Sequence, residues 1–320
     1  MFAMRHKSKQ YLLVVLKVLI LGITFGYIYL NITQNETIDF KKFSQNIFKG
    51  KSLIPILGFL FLASLNWFFE IVKWKIIVSD SYPISFYESL KQSLASLTVS
   101  LATPNRIGEY GAKAYFFKKE YRKQILLRNF FHNSFQMLVT VIFGIIGLMF
   151  FWKNYGFGIV SETVFFKIGI ALILIGTFLF LAFAFRKKTI IFKGLTLSNI
   201  YLKFRQLSSE TKWKVLLFSV FRYLVFSVLF YKLLVFFGMD IPLLEALPII
   251  FSMYLLASVL PTIFIFDVVV RGGISLWLFS LAGFPEIPVL STVFAMWILN
   301  FVFPSIIGGY FLLTYKPSKL

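Results

Sequence analysis

Residues 93–113 read SLASLTVSLATPNRIGEYGAK, a run of apolar and small residues that meets a proline and then becomes charged. Pro104 removes an amide donor and clashes with the preceding helical turn, so it predicts a break in a helix. The charged residues Arg106, Glu109 and Lys113 follow. Each would cost about 2.5–3.5 kcal/mol if it faced lipid at the bilayer centre. The stretch therefore predicts a helical hairpin inside a membrane, not a lipid-facing span.

A second stretch of the chain repeats this layout. Both stretches have an acid, a proline 16 residues later, and then an acid and a base four residues apart: Glu88, Pro104, Glu109 and Lys113 in the first, and Glu245, Pro261, Asp267 and Arg271 in the second. The two broken segments, 84–118 and 243–283, each lie between two uninterrupted apolar stretches. We interpret this layout as an internal repeat that covers about 53–152 and about 213–314.

The composition is that of a membrane protein. Apolar residues make up 58% of the 320 residues and charged residues 14%, whereas soluble domains have about 45–50% and about 25%. A helix needs about 20 apolar residues to cross a bilayer, and the stretches of this length are 11–30, 53–78, 127–152, 162–185, 213–237 and 289–314. The sequence predicts an all-α polytopic membrane protein. Residues 1–320 form one transmembrane domain of six full spans and two re-entrant hairpins, with spans 11–30 and 162–185 outside the repeat.

Basic residues indicate the orientation. The net charge of +20 is concentrated in short clusters between the apolar stretches, and such clusters favour the cytoplasmic side. The longest polar stretch, 186–212, is predicted to be a loop. Both termini are therefore expected in the cytoplasm, although loop 31–52, with its four lysines, must then lie outside. The repeats acquire opposite orientations, and the hairpins enter from opposite faces. The alternative is that each broken segment, 84–118 and 243–283, is an ordinary pair of full spans and not a re-entrant hairpin. Anionic lipid headgroups, not nucleic acid, are the expected counter-charge.

Charged residues inside the predicted membrane region are the candidates for binding a substrate. Transporters with inverted repeats place the substrate site near the bilayer midplane, at the repeat interface. Arg106, Arg271 and Arg222 are the candidates for a lipid phosphate, because a guanidinium matches phosphate oxygens with a planar fork. Glu109 and Asp267 are candidates for counter-charges or proton carriers. The alternative is that each acid only pairs with the base four residues later and pins its hairpin.

Serine and threonine form a stripe on the first helix of the first hairpin. Steps of three or four residues place them on one helical face: Ser89, Ser93, Ser96, Ser100 and Thr103. We predict a polar wall along which a headgroup moves, with tight helix packing through small residues as the alternative. Elsewhere, Glu70 and Lys73 are expected to form a pair that reaches the membrane interface, and His132 is expected to be solvated.

The motifs of common enzymes and metal sites are missing from the sequence. It has no cysteine and only two histidines, and it contains neither a Gly-x-Ser-x-Gly nucleophile motif nor a nucleotide-binding glycine loop. We therefore expect no cofactor, no metal and no enzymatic activity. Two other functions remain open. One is a membrane glycosyltransferase, or its accessory subunit beside envelope-synthesis enzymes, with Glu36 and Asp39 as the acids. The other is a scaffold that transports nothing.

Residues 103–111, TPNRIGEYG, resemble the flippase-like membrane region of lysylphosphatidylglycerol synthases, whose pattern here is close to Thr-Pro-Gly-Arg-Ile-Gly-Glu. A weaker likeness lies in residues 267–273, DVVVRGG, where Gly272 occupies a position that is often acidic. The resemblance covers nearly the whole chain. It implies a flippase for an anionic phospholipid or a polyprenyl-phosphate lipid in the cytoplasmic membrane of a bacterium. The aminoacyl-transferring domain does not follow before Leu320, which implies no synthase activity.

Overall fold

The structure, a computed structural model, describes residues 53–101, 103, 106–156, 197–259 and 267–315. Within these residues the secondary structure is helical, in the order α1 (Leu53–Ser79), α2 (Phe86–Leu101), α3 (Gly108–Tyr115), α4 (Arg122–Tyr155), α5 (Leu197–Arg205), α6 (Ser209–Phe236), α7 (Leu243–Val259), α8 (Asp267–Leu281), α9 (Glu286–Trp297), a π-helical turn (Ile298–Val302) and α10 (Phe303–Thr314). The all-α fold class is therefore confirmed for the described part of the chain. The expected spans 11–30 and 162–185 lie outside it.

Four helices among the described residues are long and apolar enough to cross a membrane. They are α1, α4, α6 and the continuous helix Glu286–Thr314, which consists of α9, the π-helical turn and α10. They match four of the spans that the sequence predicts. The last span differs in detail, because a π-helical turn interrupts a stretch that the sequence predicts as one regular helix.

Each predicted break separates two shorter helices. α2 and α3 flank the first break, α7 and α8 flank the second, and the two helices of each pair pack against each other. Pro104 and Pro261 themselves lie outside the described residues. The longest of the four helices, α7, has 17 residues, which at 1.5 Å per residue is about 26 Å. This is shorter than the hydrocarbon core of about 30 Å, a length that suits the arms of a hairpin.

Each hairpin packs on a span from the other half of the chain. α2 contacts α10, and α7 contacts α4, while the first spans of the two halves, α1 and α6, contact each other. Glycines permit both hairpin contacts. A Cβ at Gly308 would collide with the Leu94 carbonyl, and a Cβ at Gly147 would lie 2.7 Å from both the Phe251 Cβ and the Pro248 carbonyl. The packing of the bundle therefore depends on both halves.

A carboxylate just after α1 joins three helices. Arg128 of α4 donates to Asp80 at 3.0 Å, and the Thr211 hydroxyl of α6 donates to the same side chain at 2.9 Å. Partial burial acts to raise the pKa of Asp80, but the hydrogen bonds from Thr211 and Ser208 and the charge of Arg128 together hold the pKa below its usual value. The ionised carboxylate thus stabilises this end of the bundle.

A short amphipathic helix lies within the basic stretch 186–212, which the sequence predicts as a loop. This helix, α5, covers Leu197–Arg205. Ile200 and Phe204 lie one turn apart, and both contact apolar residues of the bundle. Ile200 packs against a buried apolar cluster, and the ring centroid of Phe204 lies 5.3 Å from that of Phe131. The loop prediction is wrong here, because the helix has only nine residues, fewer than the window of about 11–18 residues in which a helical pattern can be recognised.

Candidate functional site

A polar cavity of about 240 Å³ lies where the two hairpins meet the spans. The three arginines that the sequence singles out, Arg106, Arg222 and Arg271, all line it, and so does Glu109. Arg106 comes from the first break, Arg222 from α6 and Arg271 from α8. Side chains that are far apart in the sequence thus converge on one cavity.

The first break holds Arg106 in an unusual backbone conformation. Its φ is +56°, in the left-handed region that residues other than glycine seldom adopt. Thr103 closes the turn, because its hydroxyl accepts a hydrogen bond from the Gly108 amide at 2.8 Å. A Cβ at Gly108 would lie 2.8 Å from the Val99 carbonyl, so the close approach requires glycine. Backbone strain of this kind costs about 1–3 kcal/mol and clusters at functional sites.

One aromatic ring lies beneath two of the arginines. The centroid of the Phe301 ring is 4.6 Å from the guanidinium carbon of Arg106 and 5.7 Å from that of Arg271. Both distances fall within the range of about 6 Å for cation–π attraction. Phe301 belongs to the π-helical turn, a geometry that is frequent at functional sites. Through this ring the last span contacts an arginine from each hairpin.

Polar groups of α1 stabilise that turn. Pro304 has no amide hydrogen, so the Asn300 carbonyl lacks its usual helical donor. The Trp67 indole donates to this carbonyl at 3.2 Å. The Asn66 side-chain amide donates to the side-chain oxygen of Asn300 at 2.9 Å, and both asparagines are buried. The position of Phe301 is therefore fixed by contacts between α1 and the last span.

A buried carboxylate, Glu70 of α1, lines the same cavity. Its oxygens lie 3.2 Å from Lys73 Nζ, 3.3 Å from Arg222 Nη1 and 3.6 Å from His132 Nε2. Glu70 is 8% exposed, and Lys73 and His132 are fully buried. The expected pair of Glu70 and Lys73 therefore forms, but it is buried instead of reaching the membrane interface, and the expectation that His132 is solvated is wrong. The ionised carboxylate of Glu70 attracts the cationic groups of Lys73 and Arg222 and holds them inside the bundle.

A glutamine joins this ion-pair network to α4. The Gln136 side-chain oxygen accepts a hydrogen bond from Lys73 at 3.0 Å and one from Arg222 at 3.3 Å. Gln136 also lines the cavity. It belongs to the polar face of α4 on which His132 lies one turn earlier. The network therefore connects α1, α4 and α6.

The predicted pair of the first hairpin forms. Lys113 donates to Glu109 at 2.8 Å and to Asn129 at 2.9 Å, and its ammonium lies 4.2 Å from the centroid of the Trp74 ring. These contacts hold α3 against α1 and α4, as the pinning alternative requires, but Glu109 remains on the cavity wall. Asp267 begins α8, and its side chain lies outside what the structure describes, so the second predicted pair stays a prediction.

The serine stripe of α2 divides between two roles. Ser93, Ser96 and Ser100 line the cavity, on the face that the sequence indicates. Ser89 instead donates to the Ile71 carbonyl at 2.7 Å and joins α2 to α1, and Thr103 closes the break. The Ser93 hydroxyl has no hydrogen-bond partner among the described residues. One part of the stripe therefore lines the cavity, and another part packs α2 against α1.

Three side chains also come as close as the ligands of a metal ion. Glu70, Glu109 and His132 place oxygen or nitrogen atoms within 4.8 Å of one another. However, Lys73 and Arg222 contact Glu70, and a second lysine contacts Glu109. A divalent cation would have to displace these cationic groups. We interpret the cluster as an ion-pair network and assign no metal to it.

Comparison with known proteins bears on the family that residues 103–111 indicate. The family model described as lysylphosphatidylglycerol synthase TM region matches residues 14–308. No curated protein matches the chain, and no solved structure does. The matched region includes every residue of the cavity wall, and together with the four spans it identifies a multi-pass membrane protein. The chain therefore belongs to the family of the lysylphosphatidylglycerol synthase TM region.

Proposed function

We propose that this protein moves a lipid with an anionic headgroup, either a phospholipid or a polyprenyl-phosphate lipid, from one membrane leaflet to the other. The observation that carries the proposal is the convergence of Arg106, Arg222 and Arg271 on one cavity. Guanidinium groups suit the oxygens of a phosphate. The family supports it, because it is a membrane domain associated with lipid, flippase-like function.

The charges in and around the cavity favour an anion. Among the described residues, two carboxylates, Glu70 and Glu109, lie close to a larger group of cations: Lys73, Lys113, Arg106, Arg222 and Arg271. A space lined by one sign of charge raises the local concentration of the opposite ion. A phosphate headgroup is therefore attracted, and a headgroup with a net positive charge is repelled.

Alternating access between the hairpins is the proposed mechanism. An exchange of the two predicted repeats would convert the α2–α10 contact into the α7–α4 contact and leave the α1–α6 contact in place. This pattern supports an inverted repeat, in which the hairpins open to opposite faces. Arg106 would then hold the phosphate when the cavity opens to the cytoplasm, and Arg271 when it opens outward. No covalent bond changes in this cycle.

A lipid-translocation assay tests the proposal. The protein is reconstituted into phosphatidylcholine vesicles that contain a trace of fluorescent phosphatidylglycerol, and the label that moves to the outer leaflet is quenched by an impermeant reductant. We expect fast translocation by the native protein, a partial loss in Arg106→Lys and Arg271→Lys, and a complete loss in the alanine variants. Arg205→Ala, which removes an exposed arginine of α5, is the matched control. Native rates in both alanine variants would refute the proposal.

A double variant separates phosphate binding from mere pinning of the second hairpin. If Arg271 only neutralises Asp267, then Asp267→Asn with Arg271→Gln should restore transport, because neither charge is left stranded. If Arg271 binds phosphate, the double variant folds but stays inactive. The glycosyltransferase alternative depends on Glu36 and Asp39, which lie outside the described residues. Loss of function in Glu36→Gln and Asp39→Asn, with Arg106 and Arg271 dispensable, would favour that enzyme.

A further inference from the structure

We propose that the cavity binds its anionic lipid together with one proton, and that the pair Glu70 and Glu109 holds this proton. The inference rests on the proposed function and adds to it the uptake of one proton by the protein for each lipid that the site binds. The two carboxylates come from different elements, α1 and α3, and both line the cavity. Their oxygens approach within 4.8 Å.

In the structure the carboxylate of Glu70 pairs with a cationic group that could otherwise bind the phosphate of a lipid. This carboxylate lies within ion-pair distance of Lys73 and Arg222, and Arg222 lines the cavity, where a phosphate would also meet it. None of the contacts of its Oε2 atom has hydrogen-bond geometry, and Arg222 Nε is likewise buried without a hydrogen-bond partner among the described residues. The carboxylate therefore neutralises the cations without saturating their donors. A phosphate can use those donors better.

A phosphate and two ionised carboxylates cannot share this space at low cost. Like charges at a few ångströms repel strongly where water is scarce, and one member of a close carboxylate pair is the group that takes up a proton. Protonation converts one carboxylate into a neutral acid and releases its cationic partner to the phosphate. By linkage, the proton strengthens phosphate binding as much as the phosphate strengthens proton binding. The proton belongs to the pair and not to either residue alone.

Other groups that face Glu70 are less suited to the role. From the elements packed around it they are Lys73 of α1, Lys113 of α3, His132 of α4, Arg222 and Tyr223 of α6. The lysines and the arginine serve as ion-pair partners of the two carboxylates. His132 is fully buried beside the Trp74 ring and is not part of the cavity wall, whereas Glu70 and Glu109 are. The serines of α2 and Asn300 of the last span do not titrate.

Proton uptake on lipid binding is the direct test. Purified full-length protein in a neutral detergent is placed in weakly buffered solution with a pH-indicator dye and titrated with dioctanoyl phosphatidylglycerol, whose phosphodiester keeps one charge near neutral pH. We expect about one proton taken up per lipid bound, and an affinity that falls by up to about tenfold per pH unit as the pH rises. In Glu70→Gln with Glu109→Gln, binding should persist with little proton uptake and a flat pH profile.

The single variants and one control complete the design. Glu210→Gln removes an exposed carboxylate that pairs with Lys214 outside the cavity, and it should take up protons as the native protein does. If the double variant does not fold, Glu70→Gln or Glu109→Gln alone should reduce the uptake and flatten the profile. Lipid binding by the native protein without proton uptake overturns this inference only. Undiminished uptake by the glutamine variants also overturns it and places the proton on another group such as His132. The absence of any lipid binding overturns the proposed function as well.

Discussion

Removal of the Phe301 ring should weaken lipid binding without unfolding the protein. The ring contacts the guanidinium groups of Arg106 and Arg271 at 4.6 Å and 5.7 Å. A cation–π contact contributes about 0.5–1 kcal/mol when exposed and about 2 kcal/mol when desolvated. The longer contact lies near the limit of the interaction, so we assign about 1–2 kcal/mol to the two together. Phe301→Leu should therefore lower lipid affinity about 5- to 30-fold.

The assay is the binding of dioctanoyl phosphatidylglycerol to the purified protein, followed by translocation in vesicles. Phe301→Tyr keeps the ring and should bind within about twofold of the native protein. Phe303→Leu is the matched control, because Phe303 is the same residue type two positions later and is 49% exposed. An unchanged affinity in Phe301→Leu, or an equal loss in Phe303→Leu, would show that the ring does not position the arginines.

Three further outcomes test orientation, packing and pH dependence. In this cysteine-free chain, a cysteine at Lys119 should resist an impermeant thiol reagent added to intact cells, whereas one at Pro285 should react; the reverse would invert the assigned topology. Gly147→Ala should destabilise the protein by about 1–3 kcal/mol through overpacking. Its control is Gly58→Ala, which has open space around it and should change stability by less than about 1 kcal/mol. Thermal unfolding in detergent measures both variants. The pKa of Asp80 is lowered in the fold, so its ionised carboxylate stabilises the protein at pH values above the unfolded pKa of about 3.9. This stability is lost as the pH falls through the folded pKa. Asp80→Asn should therefore melt lower than the native protein at neutral pH, and the difference should vanish in strong acid.

The features that the sequence could reveal are those with a long or repeated pattern. Four spans follow from their length and hydropathy, and the two breaks follow from matched prolines and charges. Arg106 and Arg271 could be singled out because a charge in an apolar segment is costly and needs a partner. The inverted orientation and the role of each residue remain predictions.

The features that escaped prediction depend on which way a side chain faces. Apolar residues surround Glu70 and Lys73 on α1, so the sequence does not show that both turn inward. Phe301 is one of 42 phenylalanines, and only the π-helical turn places it beneath two arginines. A π-helical turn inserts one extra residue into an α-helix, and in a uniformly apolar stretch this insertion does not change the hydrophobic pattern of the sequence. Pro304 was the available signal, because it deprives the Asn300 carbonyl of its helical donor.

The exchanged packing of the hairpins has a mechanical consequence. Each half of the chain supplies a hairpin that packs against a glycine-lined span of the other half. If the proposed alternating access operates, a tilt of one half also moves the hairpin of the other half that packs on it, so the two hairpins move together. Neither half alone contains both a hairpin and the span on which that hairpin packs, so separately expressed halves should form the cavity only after they assemble.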